Sequence, residues 1–126
     1  MLTPGSLVRL AKSHFIELLN EPMLNWVDHS EARGMIDKGD ASFLDVRMPA
    51  EFAQQHIPGS QNMPMIFLRL KYKKELDPAK KYILCCDTGR RSSAAAYILA
   101  ERGFDTYVLK GGVSAALDAG QQSEAS

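Results

Sequence analysis

The apolar run Tyr82-Ile83-Leu84-Cys85 meets the loop Cys86-Asp87-Thr88-Gly89-Arg90-Arg91, and the loop opens directly into the small-residue stretch Ser92 to Ala100. This is a strand feeding a helix through a tight turn. A strand that passes straight into a helix commits the chain to βα units, and hence to a mainly parallel sheet with helices on both faces. In such sheets, sites form at the carboxyl ends of strands, where Cys86 falls. A thiol at this junction is expected to be acidic and exposed. Loop and first-turn N–H groups point at its sulfur, and the helix dipole with Arg90 and Arg91 favours the thiolate.

The remaining pattern alternates in the same way. Residues 25–27 read as a strand, 31–38 as a helix capped by Ser30 and ended by Gly39, and 42–46 as the next strand. A short helix over 49–55 starts at Pro49. Ile57-Pro58-Gly59-Ser60 is a turn before a strand at 61–63. Residues 65–73 read as a helix that Asp77-Pro78 ends. The helix after the loop stops at Gly103, a last strand covers 106–109, and Gly111-Gly112 turns into a helix over 113–119.

Residues 1–24 stand apart. Leu7, Leu10, Ala11, Ile16, Leu18 and Leu19 lie at mostly helical spacing, between Pro4-Gly5 and Pro22. They read as an amphipathic helix and linker, either packed on the main domain or offered as a docking surface to a partner domain. Residues 25–120 form the main domain, and 121–126 read as a disordered tail.

Fifteen basic and fifteen acidic residues cancel, so no global field draws in nucleic acid or an anionic membrane. No apolar run approaches the roughly 20 residues that span a bilayer. The two cysteines are adjacent, and successive strand side chains point to opposite faces, so they are not expected to pair. A reducing compartment fits, and with no signal peptide in view the expected place is the cytoplasm. No cysteine–histidine spacing suggests a metal site, and no cofactor is called for.

Leu44-Asp45-Val46-Arg47 with Glu51-Phe52, His56-Ile57-Pro58-Gly59-Ser60, Cys86 to Ser92, Gly103-Phe104 and Leu109-Lys110-Gly111-Gly112 together resemble the rhodanese (sulfurtransferase) family. The five signatures run in the family's order over about residues 25–120. The resemblance implies a parallel five-stranded α/β domain and a cysteine, Cys86, that carries sulfane sulfur as a persulfide. The family often has a tryptophan shortly after the glycine pair, where this chain reads Val113-Ser114-Ala115-Ala116-Leu117. The N-terminal segment with Asn20-Glu21-Pro22 is also similar to a segment that precedes rhodanese domains in some multidomain bacterial proteins.

The chemistry follows from the residues as well. An anionic persulfide needs several N–H donors on one atom, and six residues from Cys86 to Arg91 can curl around the first side chain. Gly89 supplies the turn where a side chain would clash. Each charge-assisted hydrogen bond contributes about 1.5–3 kcal/mol. Asp87, Thr88, Gly89, Arg90, Arg91 and Ser92 are the expected substrate-binding residues. Arg90 and Arg91 attract an anionic donor, and Asp87 opposes them and lowers affinity for thiosulfate.

Asp45 and Arg47 are expected to brace the loop, with Arg47 reaching Glu51. Cys85 reads as core. His56 reads as a turn hydrogen bond rather than a base. The expected donor is thiosulfate or another small-molecule or protein persulfide, and the expected acceptor a thiol or cyanide. The rival chemistry is that of cysteine phosphatases and arsenate reductases, whose loops hold one more residue to fit a tetrahedral oxyanion. Counting from Cys85 gives that length but puts the glycine at the wrong step. A non-catalytic sensing or binding module is the third reading.

Overall fold

A computed structural model describes residues 24–125, with side chains to Gly120; the expected N-terminal helix lies outside the described residues. Five strands, β1 (Trp26–Val27), β2 (Ala41–Asp45), β3 (Gln61–Asn62), β4 (Lys81–Cys85) and β5 (Asp105–Leu109), form one sheet in the order β1-β5-β4-β2-β3. Every pairing is parallel, so all five carboxyl ends share one edge. Helices α1 (His29–Asp37) and α5 (Gly112–Ala125) contribute core residues on one face. On the other, α3 (Leu68–Glu75) and α4 (Arg90–Glu101) do so. The short α2 (Pro49–Gln54) buries no residue, and a single 3₁₀ turn, Met65–Phe67, leads into α3.

Strand alternation sorts β4. Tyr82, Leu84 and Cys86 join the core cluster of Leu44, Leu68, Ala95, Leu99 and Val108. Ile83 and Cys85 point the other way, into the cluster of Phe43, Ile57, Leu109 and Val113. This period of two gives the adjacent cysteines different fates.

From β2 the chain moves outward to β3, whereas from β4 it moves through β5 toward β1's side. The crossovers therefore part between β2 and β4, which leaves a crevice at their carboxyl ends. The two ends are pinned together by Val46 N–H donating to the Cys85 carbonyl, 3.1 Å. The site is built in this crevice.

Several element ends differ from the sequence reading. Asp28, not Ser30, caps α1: its carboxylate accepts from Glu31 N–H at 2.7 Å, and Glu31 accepts from Asp28 N–H at 3.2 Å. The reciprocal pair satisfies two N-terminal donors where a lone serine would satisfy one. The expected helix over 65–73 divides into the 3₁₀ turn and α3. Helix α5 runs to Ala125, past the expected end at 119 and through most of the stretch read as a disordered tail. Ala, Gln and Glu are good helix formers, and Gly120 costs about 1 kcal/mol, too little to stop the helix.

Candidate active site

Residues Cys86 to Gly89 leave β4 and turn back on themselves. Gly89 sits at φ +94°, in the left-handed region open to glycine at little cost, and it is the N-cap of α4. It has no side chain to satisfy the first N–H groups of the helix. The sulfur of Cys86 takes that role. Gly89 N–H donates to Cys86 Sγ at 3.0 Å and Ser92 N–H at 3.3 Å. The Ser92 hydroxyl lies 3.3 Å from the same sulfur; it accepts from a thiol and donates to a thiolate. Burial pushes the Cys86 thiol up, but hydrogen bonds from the Ser92 hydroxyl and from the N–H groups of Ser92, Gly89 and Thr88 outweigh it. The net result is a thiol below its ordinary value.

Two expectations change here. Cys86 is acidic but fully enclosed rather than exposed, because the loop and Ser92 close around it under a cover of exposed Asp87, Thr88 and Arg90. Arg91 acts on the sulfur only through its charge, and its hydrogen bonds go to other residues. Its guanidinium grips Glu51 in a two-pronged pair, Nη1–Oε1 2.8 Å and Nη2–Oε2 2.9 Å, and touches Asp87 at 3.4 Å. Amides and a hydroxyl, more than a guanidinium, hold the thiolate. Arg91→Ala is therefore expected to leave the pH midpoint of Cys86 alkylation within about 0.5 unit while lowering thermal stability modestly.

Arg47 does not reach Glu51, because Asp45 is nearer and lies on the same buried strand end. Arg47 Nε lies 3.0 and 3.1 Å from the two Asp45 oxygens, and Nη2 donates to Asp45 Oδ2 at 2.8 Å and to the Gln55 carbonyl at 2.7 Å. The Arg47 backbone N–H adds a bond of 3.0 Å to the same carboxylate. Asn62, unremarked in the sequence, fastens this turn by donating to the carbonyls of Asp45 and Arg47. From beneath, Arg47 Nη1 reaches Asp87 at 3.5 Å. Arg47 thus links the buried end of β2 to Asp87 of the loop, with Asp45 rather than the expected Glu51 as its main partner.

Glu51 is held down at about 2, by the Arg91 hydrogen bonds first and by Met48 N–H second. Its folded value lies below the ordinary carboxylate value of about 4.3, so the stabilisation is complete above that pH and fades as pH falls through about 2. Both partners are about one-third exposed, which keeps the effect small. A modest fall in melting temperature between pH 5 and pH 2 should shrink in Glu51→Gln.

Gly112 closes the site from the far side. It has φ +68°, and an added Cβ would overlap the carbonyl oxygens of Cys86 and Asp87. Val113 N–H donates to that Cys86 carbonyl at 2.9 Å. The glycine pair that the sequence reading treated as a turn is thus a seat for the loop. Cys85 lies on the other side of the sheet, with Sγ 3.7 Å from the Leu44 carbonyl, and burial pushes its thiol well up. His56 Nδ1 bonds the Phe52 carbonyl at 2.8 Å and its ring stacks on Phe52, which is a turn role. Among the described residues no group of His, Cys, Asp and Glu could hold a metal ion, and no helix is long and apolar enough to cross a membrane.

The profile of the Rhodanese-like domain family matches residues 28–119. The chain belongs to that family. It is 30% identical over 95 residues to a sulfurtransferase of Allochromatium vinosum, a match covering 74% of this chain and 88% of that one. It is 35% identical over 83 residues to the thiosulfate sulfurtransferase GlpE of Pseudoalteromonas translucida, covering 64% of this chain and 77% of the relative. The crystal structure of a rhodanese-related protein from Thermoplasma volcanium superposes with TM-score 0.70 at 31% identity, over 76% of this chain and 93% of that one. Family and relatives support a sulfurtransferase-type role for this rhodanese domain.

Proposed function

We propose that this chain takes sulfane sulfur from a donor such as thiosulfate onto Cys86 and passes it to a thiophilic acceptor, a thiol or cyanide. The observation that carries the reading is the convergence of the Gly89 and Ser92 N–H groups and the Ser92 hydroxyl on one sulfur atom. In the loading step the Cys86 thiolate attacks the outer sulfur of thiosulfate. The S–S bond of the donor breaks, sulfite leaves with the bonding pair, and Cys86 keeps a persulfide anion. In the second step the acceptor attacks the outer sulfur and the thiolate returns. The charge stays on sulfur throughout, which is what a ring of N–H donors at a helix N-terminus stabilises.

Cys86 is the nucleophile in this reading. Thr88, Gly89 and Ser92 form the cradle, Asp87, Arg90 and Arg91 form its mouth, and Asp45 with Arg47 supports the loop. The rival phosphatase reading needs a wider ring, with donors left over for three oxygens. Here the two N–H bonds, 3.0 and 3.3 Å, end on the sulfur itself. Two unpaired cysteines suit a reducing compartment, so the cytoplasm is the proposed place.

The test is intact mass after incubation with thiosulfate. One added sulfur, about 32 Da, is expected and should disappear on adding cyanide. No adduct, together with Cys86-dependent hydrolysis of p-nitrophenyl phosphate, would overturn the reading in favour of phosphoryl chemistry.

A further inference from the structure

Three guanidinium groups and three carboxylates surround the Cys86 loop, with Arg47 and Asp45 buried beneath it. Arg47 is matched by Asp45, and Arg91 by Glu51. Asp87 is left over and lies across both arginines, 3.5 Å from Arg47 Nη1 and 3.4 Å from Arg91 Nη2. It is about half exposed and stands at the loop's outer surface. Only Arg90 offsets it; that residue is exposed and makes no ion pair among the described residues. The mouth therefore has no surplus positive charge for a dianion.

An apolar ring stands beside it instead. The Trp26 ring covers the outer side of Gly89: its Cζ3 and Cη2 lie 3.1 and 3.3 Å from where a Gly89 Cβ would stand, and among the described residues no other beyond the neighbours in the chain comes within 4 Å. Trp26 is nonetheless 43% exposed. A large aromatic surface left open beside a reacting atom is a contact for an apolar group rather than for a small hydrated anion.

We propose that Asp87 determines donor specificity, setting this site for a persulfide on an apolar organic carrier in preference to thiosulfate. The inference rests on the sulfur-transfer reading and names its donor class. The step balances. The Cys86 thiolate attacks the outer sulfur of R–S–SH, the S–S bond of the donor breaks, and R–S⁻ leaves. The proton of the donor ends on R–S⁻, and Cys86 holds S–S⁻. Such a donor brings at most one negative charge and can lay R against Trp26, whereas thiosulfate brings two to a mouth where Asp87 repels them.

The experiment compares loading rates of Cys86, by mass, from thiosulfate and from freshly generated benzyl persulfide. The wild type should load from benzyl persulfide at least about tenfold faster, and its thiosulfate rate should depend little on ionic strength. Asp87→Asn should raise the thiosulfate rate about fivefold relative to the benzyl persulfide rate and make the thiosulfate rate fall with salt. Asp87→Glu should restore the wild-type preference. Trp26→Ala should shift the ratio toward thiosulfate. Equal effects of Asp87→Asn on both donors, or a wild-type thiosulfate rate that drops steeply with salt, would overturn the assignment while leaving sulfur transfer intact. Loading from neither donor would overturn both. The salt arm uses only the wild type, so the inference stays testable if a variant unfolds.

Discussion

Cys86→Ser should abolish sulfur loading altogether, with no adduct of about 32 Da and no transfer from thiosulfate to cyanide. Cys85→Ser should keep most of both. The asymmetry follows from one step along a strand. Cys86, the residue after β4, lies on the face where α4 begins, so its sulfur receives N–H groups of Gly89 and Ser92. Cys85 points to the opposite core, where its hydrogen-bond partner among the described residues is the Leu44 carbonyl, an acceptor that cannot stabilise a thiolate. Serine in place of Cys86 keeps a cap acceptor for the helix, so the melting temperature should stay within a few degrees while loading vanishes. An adduct that persists in Cys86→Ser and maps to Cys85 would reverse the register of the site. Oxygen cannot replace sulfur here: an alkoxide is far too basic to form in this cradle, and the N–H bonds that lower a thiol from about 8.5 cannot bring a hydroxyl into range.

Much of this was legible before the structure. The parallel order of the strands follows from their alternation with helices, and the position of Cys86 follows from the switch between an apolar run and an alanine-rich one. The opposite fates of Cys85 and Cys86 follow from the strand period alone. Ion-pair partners did not follow. Arg47, Glu51, Arg91 and Asp87 offer several pairings that sequence spacing cannot separate. Asp45 wins Arg47 because both sit buried at the end of β2, and that leaves Glu51 to Arg91 across 40 positions of sequence. The enclosure of the sulfur was missed for a related reason: exposed loop residues suggest an exposed thiol, yet those residues form the cover. Trp26 read only as part of a short strand, and its contact with Gly89 depends on β1 joining the sheet beside β5, a pairing of residues some 80 positions apart. Gly112 carried a signal that could have been used, since a glycine pair just after a strand marks close backbone approach as readily as a turn.

Asp45→Ala should be among the most destabilising single changes in the domain, at about 3–5 kcal/mol. Asp45 is fully buried and Arg47 nearly so. Removing the carboxylate strands a guanidinium that, among the described residues, keeps only the Gln55 carbonyl at 2.7 Å and a distant Asp87, and it frees the Arg47 backbone N–H. Against a typical domain stability of about 5–15 kcal/mol, the melting temperature should fall by roughly 10 °C or more. Asp45→Asn, which retains an acceptor but not the charge, should fall between. The cause can be isolated with the double variant Asp45→Leu, Arg47→Met. If an unpaired buried charge is responsible, removing both partners should recover most of the loss, because apolar groups of similar volume replace a buried pair at little cost. A double variant as unstable as Asp45→Ala would assign the effect to lost backbone hydrogen bonds in the turn instead. The rescued double variant would also lack the Arg47–Asp87 contact. Its Cys86 loading should nonetheless stay within a few-fold of wild type, since the donors on the sulfur come from Gly89 and Ser92 and from neither of the replaced residues.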